Sequence, residues 1–133
     1  MPDRFDAGDL EVLAGAEEIE IETAAHEGAP RHRTIIWVVV DDEERVLIRS
    51  YRGGSARWFR EALANPSVTI HVDGRAISAA VVVANDEERI ESASRGFHRK
   101  YPNDPAMPAM LSDAVLSTTL ELTPQRAAAR AKG

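Results

Sequence analysis

The sequence predicts a mainly β protein with flanking helices: a six-stranded antiparallel barrel forming one domain over residues 1–123, followed by a flexible C-terminal tail, 124–133. Three observations carry this expectation. Residues Glu17–Ala25 alternate strictly, with Ile19, Ile21 and Thr23 on one side and Glu18, Glu20 and Glu22 on the other, which is the period of a half-buried strand. Arg33–Val40 is nearly all apolar and β-branched, the pattern of a strand covered on both faces. Asp41–Glu44 and Asp73-Gly74 stand between apolar runs as hairpin turns, and Asp-Gly is the strongest short hairpin signal in the chain.

The remaining elements fall between these. Asp6 or Asp9 caps a short helix that Gly15 ends, with Leu10, Val12 and Leu13 as its apolar stripe. Gly28 and Pro30 mark a turn before the Arg33–Val40 strand, and Arg45–Tyr51 returns from it. Ser55 is the expected N-cap of a helix Ala56–Ala64, which buries Trp58, Phe59, Ala62 and Leu63 and stops at Asn65-Pro66. Strands Ser67–Val72 and Arg75–Ala84 flank the Asp73-Gly74 turn. Asn85 then caps a helix from Asp86 to about Lys100, with a carboxylate placed as in a capping box. A proline-rich loop Tyr101–Pro108, a helical turn Ala109–Ala114 and a last strand Val115–Leu122 complete the domain.

Composition narrows the function. The chain has 133 residues, enough for a core without covalent staples, and no cysteine, so it has no disulfide, thiolate metal site or cysteine nucleophile. No apolar run reaches membrane-spanning length, and residues 1–15 lack the basic and apolar regions of a signal peptide, so the expectation is a cytoplasmic protein without membrane association. The net charge of −6 opposes general nucleic-acid binding. His26, His32, His71 and His98 show no metal-ligand spacing, Ser50 and Ser55 lack a nucleophile-elbow context, and Gly53-Gly54 is neither a Walker A loop nor a dinucleotide fingerprint. No metal site is expected.

One stretch does point to a ligand. In Arg49–Leu63, a strand runs into a Gly53-Gly54 turn and then a helix, with Arg49, Arg52 and Arg57 on either side. Free amides of a helix's first turn, a glycine backbone and guanidinium groups together suit an anion, most often a phosphate.

The segment GAPRHRTIIW at 28–37, the strand end Arg49-Ser50-Tyr51, the Gly-Gly turn, Trp58 in a helix and ANPSVT at 64–69 resemble, in order and spacing over residues 17–84, the split β-barrel flavoproteins. These are relatives of pyridoxamine-phosphate oxidase, here its deazaflavin-dependent nitroreductase branch or an offshoot of that branch with no assigned function. The turn before Trp58 is shorter than in typical nitroreductases, and Tyr51 and Arg52 stand where a lysine is common. The resemblance implies a homodimer that binds FMN or a deazaflavin near the dimer interface. It implies that Arg33 and Thr34 line the cofactor, that Ser50, Arg52, Gly53 and Arg57 hold its phosphate, and that Trp37, Tyr51 or Trp58 pack near its ring.

The leading reading is therefore an oxidoreductase that passes hydride or electrons between the cofactor and a small organic substrate, with Tyr51 as the candidate proton donor. Such chemistry asks little acid–base work of the protein. The alternative in the same fold is a non-catalytic flavin or haem carrier. A third reading, a barrel binding single-stranded nucleic acid through Arg49–Arg60 and the aromatic residues there, is opposed by the acidic charge.

Overall fold

A computed structural model describes residues 4–125. Its elements are α1 (Ala7–Gly15), β1 (Ile19–Ala24), β2 (Arg31–Ile36), β3 (Val39–Val40), β4 (Val46–Ile48), α2 (Arg57–Ala64), β5 (Ser67–Val72), β6 (Arg75–Val83), α3 (Glu87–Lys100), α4 (Met107–Met110), α5 (Asp113–Leu116) and β7 (Leu120–Pro124). The strands form one antiparallel sheet in the order β2-β1-β5-β6-β7-β4-β3. The mainly β class with flanking helices stands, as a curled half-barrel. No helix among the described residues is long and apolar enough to cross a membrane.

The expected single strand Arg33–Val40 is two short strands at opposite edges of the sheet, so the described residues hold seven strands and not six. Ile36 is the last residue paired with β1, and Val39 is already paired with Leu47 of β4. Trp37 and Val38 carry the chain from one edge to the other, which curls the sheet on itself. The N-terminal half of the run is not covered on both faces: Ile35 is 59% exposed and shares an open face of β2 with the exposed Arg31 and Arg33.

Val38 is fully buried and lies outside the strand ladder. A buried backbone group without a partner would be costly. The C-terminal end of α3 supplies both partners: Val38 N donates to the Tyr101 hydroxyl at 3.4 Å, and Lys100 Nζ donates to Val38 O at 2.7 Å. Lys100 also donates to Leu13 O at 3.2 Å, which ties α1 to the same point. α3 lies close to β3 here, since a Cβ on Gly96 would sit 3.1 Å from Val39 Cβ.

The barrel interior is filled by Ile19, Ile21, Ile36, Ile48, Val68, Ile70, Leu120 and Leu122. A second core, with Val39, Leu47, Ala93, Phe97, Tyr101 and Met110, packs α3 and α4 on the outside of β3 and β4.

Three boundaries differ from expectation. Ala56, not Ser55, is the N-cap of α2, because Ser55 belongs to a 3-10 turn Gly53–Ser55. Asp86, not Asn85, caps α3, accepting from Arg89 N at 3.1 Å. Val115–Leu122 is not one strand. Val115 and Leu116 lie in α5, and the Thr118 and Thr119 hydroxyls donate to their carbonyls at 2.6 and 2.8 Å, holding a helical turn in a β-prone sequence. Of the expected tail, Pro124 ends β7 and Gln125 donates to Ser67 Oγ at 3.0 Å; residues 126–133 lie outside the described residues.

Burial pushes Lys100 down to about 8 from its ordinary 10.5. The unfolded chain thus holds this proton to higher pH than the folded one, so the Lys100 contribution to stability rises as pH climbs from about 8 through 10.5. Urea denaturation of wild type and Lys100→Met across this window is expected to show wild type gaining stability relative to the variant as pH rises. A constant gap would contradict the buried placement of the ammonium group.

Candidate functional site

The Arg49–Leu63 stretch forms a braced turn running into α2. Gly53 has φ +76°, a conformation that favours glycine, and its N–H donates to Ser50 O at 3.0 Å. The Ser50 hydroxyl donates back to Gly53 O at 2.7 Å, while Ser50 N donates to Thr118 Oγ1 at 3.0 Å. Ser50 and Gly53 thus set the shape of the turn. No side chain caps the first turn of α2, so its leading amides are left for solvent or a ligand.

α2 is fixed against the barrel from its far side. Thr23 Oγ1 donates to Glu61 Oε1 at 2.8 Å, and His32 Nδ1 lies 3.2 Å from Glu61 Oε2. This link between α2 and strands β1 and β2 sets the gap between Trp58 and Thr34.

In that gap lies a cavity of about 360 Å³. Six of the expected residues line it: Thr34, Trp37, Arg49, Tyr51, Arg52 and Trp58. Trp58 is 5% exposed, with its ring edge-on to Phe59, so it serves the core and the cavity together. Trp37 stacks on Tyr101 with ring centroids 4.0 Å apart and planes 6° from parallel. Tyr51, 54% exposed, stands at the mouth. Arg52 is also exposed there, and among the described residues its side chain has neither a hydrogen bond nor an ion pair.

The other expected residues stand apart from the lining. Arg33 is adjacent to Thr34 on a strand and therefore points the other way. Its guanidinium lies 3.3 Å from Glu20 and 3.8 Å from Glu22, beside a shallow depression on the outer face of the sheet. Ser50 and Gly53 lie behind the wall. Arg57 is exposed on the first turn of α2, one helical turn from Glu61.

Arg49 is 1% exposed and committed to the protein. It donates to Thr119 Oγ1 at 2.8 Å, Met110 O at 2.9 Å, and Ser94 Oγ and Ile90 O at 3.0 Å, and it lies over the Phe97 ring at 5.3 Å. No carboxylate pairs with it among the described residues, and burial pushes it down to about 10. It joins β4 to α3, α4 and β7 and closes the cavity floor.

Sequence reasoning missed the lining from the proline-rich loop and α4, namely Asp104, Ala106 and Met110, and also Glu18 before β1. Asp104 Oδ1 accepts from Ala106 N at 2.8 Å, which shapes that loop. Loop residues far along the chain carry no periodicity or motif that could have placed them here. Among the described residues, no three His, Asp or Glu side chains gather as a metal site.

Replacing Arg49 by Met removes four buried charge-assisted hydrogen bonds, two of them to carbonyls of α3 and α4. A loss of about 3 kcal/mol or more in unfolding free energy is expected from chemical denaturation. A loss under about 0.5 kcal/mol, the scale of an ordinary surface substitution, would contradict the anchoring role.

Solved structures share this fold. The haem storage protein HutZ from Vibrio cholerae matches with a TM-score of 0.66 at 12% identity, over 92% of this chain and 92% of that one. A putative pyridoxamine 5'-phosphate oxidase from Listeria innocua matches at 0.63 and 15%, over 90% and 92%. An F420-H2-dependent reductase, FDR-A, matches at 0.59 and 13%, over 80% and 93%. At such identities the likeness establishes the fold, the split β-barrel expected from the sequence, and no more. No curated protein matches the chain. A family model spans residues 9–122, nearly the whole domain described above, and the chain belongs to that family, an uncharacterized protein family conserved in bacteria (DUF2255).

Proposed function

We propose that the protein is a cytoplasmic, homodimeric oxidoreductase that binds FMN or a deazaflavin and acts on a small organic substrate. The observation that carries this reading is the cavity of about 360 Å³ with an uncapped helix start and an unpaired arginine at its edge. The volume is in the range of small-ligand sites. The chemistry of the donors fits a phosphate: the leading amides of α2, Arg52 and Arg57 are the groups that would hold it. Ser50 and Gly53 would act indirectly, by holding the turn. Thr34, Trp37 and Trp58 would enclose the ring system, and Tyr51 at the mouth is the group placed to hand a proton to a substrate.

When bound, the cofactor would supply the hydride or electron transfer itself. The work of the chain is to anchor the phosphate, keep one face of the ring dry and leave the other open. Arg49 contributes to the floor and its charge is spent on the protein, and Arg33 is held at Glu20 and Glu22, so neither is assigned to the cofactor. Ile35 and Tyr51, both large and exposed beside the cavity, give a second copy an apolar rim to cover.

The carrier alternative divides in two. His26, His32, His71 and His98 all lie away from the cavity lining, which disfavours a histidine-ligated haem there. A carrier of flavin without turnover differs from the enzyme only in the use made of Tyr51, and substrate reduction by the loaded protein separates them.

Separate titrations of the apoprotein with FMN and with the deazaflavin coenzyme, followed by quenching of cofactor fluorescence, test the reading. Saturable binding of one is expected. Arg52→Ala should then weaken it by about 1.5–3 kcal/mol, the range of a charge-assisted contact. Folded protein that binds neither cofactor would overturn the proposal.

A further inference from the structure

We infer that Tyr101 is a positioning residue for the cavity, because this one side chain and its backbone fix three separate stretches of the cavity wall. This rests on the reading of the cavity as the ligand site and adds a residue that the sequence did not single out.

The first stretch is Trp37, whose indole lies flat on the Tyr101 ring at 4.0 Å. A stacked pair orients a ring only if its partner is itself held. Tyr101 sits just past the last residue of α3, and its hydroxyl is anchored at the far end of the ring. That hydroxyl donates to Glu17 O at 2.8 Å and accepts from Val38 N at 3.4 Å. Glu17 and Val38 are the chain neighbours of Glu18 and Trp37, both of which line the cavity. The second stretch, Glu18, is thus fixed through the adjacent carbonyl. The third is the loop to α4: Asp104 N donates to Tyr101 O at 3.3 Å, and Asp104 and Ala106 also line the cavity.

The phenol is suited to this task. Burial pushes its ionisation up to about 12, and the carboxylates of Glu17, Glu18 and Asp104 add to the shift. The hydroxyl therefore stays a donor throughout the physiological range. Phenylalanine at this position would keep the stack and remove the anchor.

Tyr101→Phe in a Trp58→Phe background, which leaves Trp37 as the only tryptophan, separates positioning from packing. Two readouts are used: iodide quenching of Trp37 fluorescence in the apoprotein of this background, and, with Trp58 kept, the dissociation constant of the cofactor that wild type binds. The control is Ile70→Val in the same background, a buried change in the barrel interior remote from the stack. Tyr101→Phe is expected to raise the quenching constant at least twofold and to weaken cofactor binding about tenfold, while Ile70→Val leaves both at the parent value. Equal quenching in Tyr101→Phe and its parent, or the same rise in Ile70→Val, would overturn the inference. If wild type binds neither cofactor, the functional proposal fails and the quenching comparison still decides whether Tyr101 orders Trp37.

Discussion

The crossing of the chain from one sheet edge to the other at Trp37-Val38 is the constraint on which the other features depend. A curled sheet whose first and last strands belong to one run must break its ladder somewhere, and the residue at the break has backbone groups with no strand to pair with. Here that residue is Val38, fully buried. The end of α3 supplies the missing partners through Tyr101 and Lys100, so the helix docks where the barrel needs it. The same docking builds the second core, ties down α1 through Leu13, and places the indole of Trp37 against the cavity.

A second tie meets the site from below. Arg49 leaves β4 directly into a nest of helix carbonyls and hydroxyls, with no acid among the described residues to neutralise it. A cation held by oxygen dipoles and the Phe97 ring is worth more as a joint than as a ligand, because moving it toward an anion would give up these contacts. The turn that follows is rigid for related reasons: Ser50 is bonded at its amide and its hydroxyl, and Gly53 takes the one conformation a side chain would resist. Rigidity behind and an uncapped helix start in front are the two features on which the proposed anion site rests.

Much of this fold was legible because alternation and turn chemistry are local. The Ile/Glu alternation of β1 and the Asp73-Gly74 hairpin needed only neighbours a few residues away. The break at Trp37-Val38 was not legible, because a run of Val and Ile reads as one strand whichever edges it joins. Val115–Leu122 misled for the converse reason: its composition is β-prone, yet two threonine hydroxyls hold part of it in a turn. In the site, the arginine-rich turn stood out, but sequence treats Arg49, Arg52 and Arg57 alike. Only burial separates the anchored Arg49 from the unpaired Arg52. Tyr101, Asp104 and Met110 come from a loop region whose role depends on where α3 ends in space.

The central claim is that an anionic, ring-bearing cofactor sits between Trp37 and the start of α2. Its most direct test is the backbone amide chemical-shift map of isotopically labelled protein with and without FMN or the deazaflavin coenzyme. The account predicts that the largest shifts cluster at Thr34–Trp37 and at Tyr51–Phe59, with the outer-face residues Glu22 and His71 unmoved. Shifts centred on the outer face of the sheet, or none with either cofactor, would contradict it.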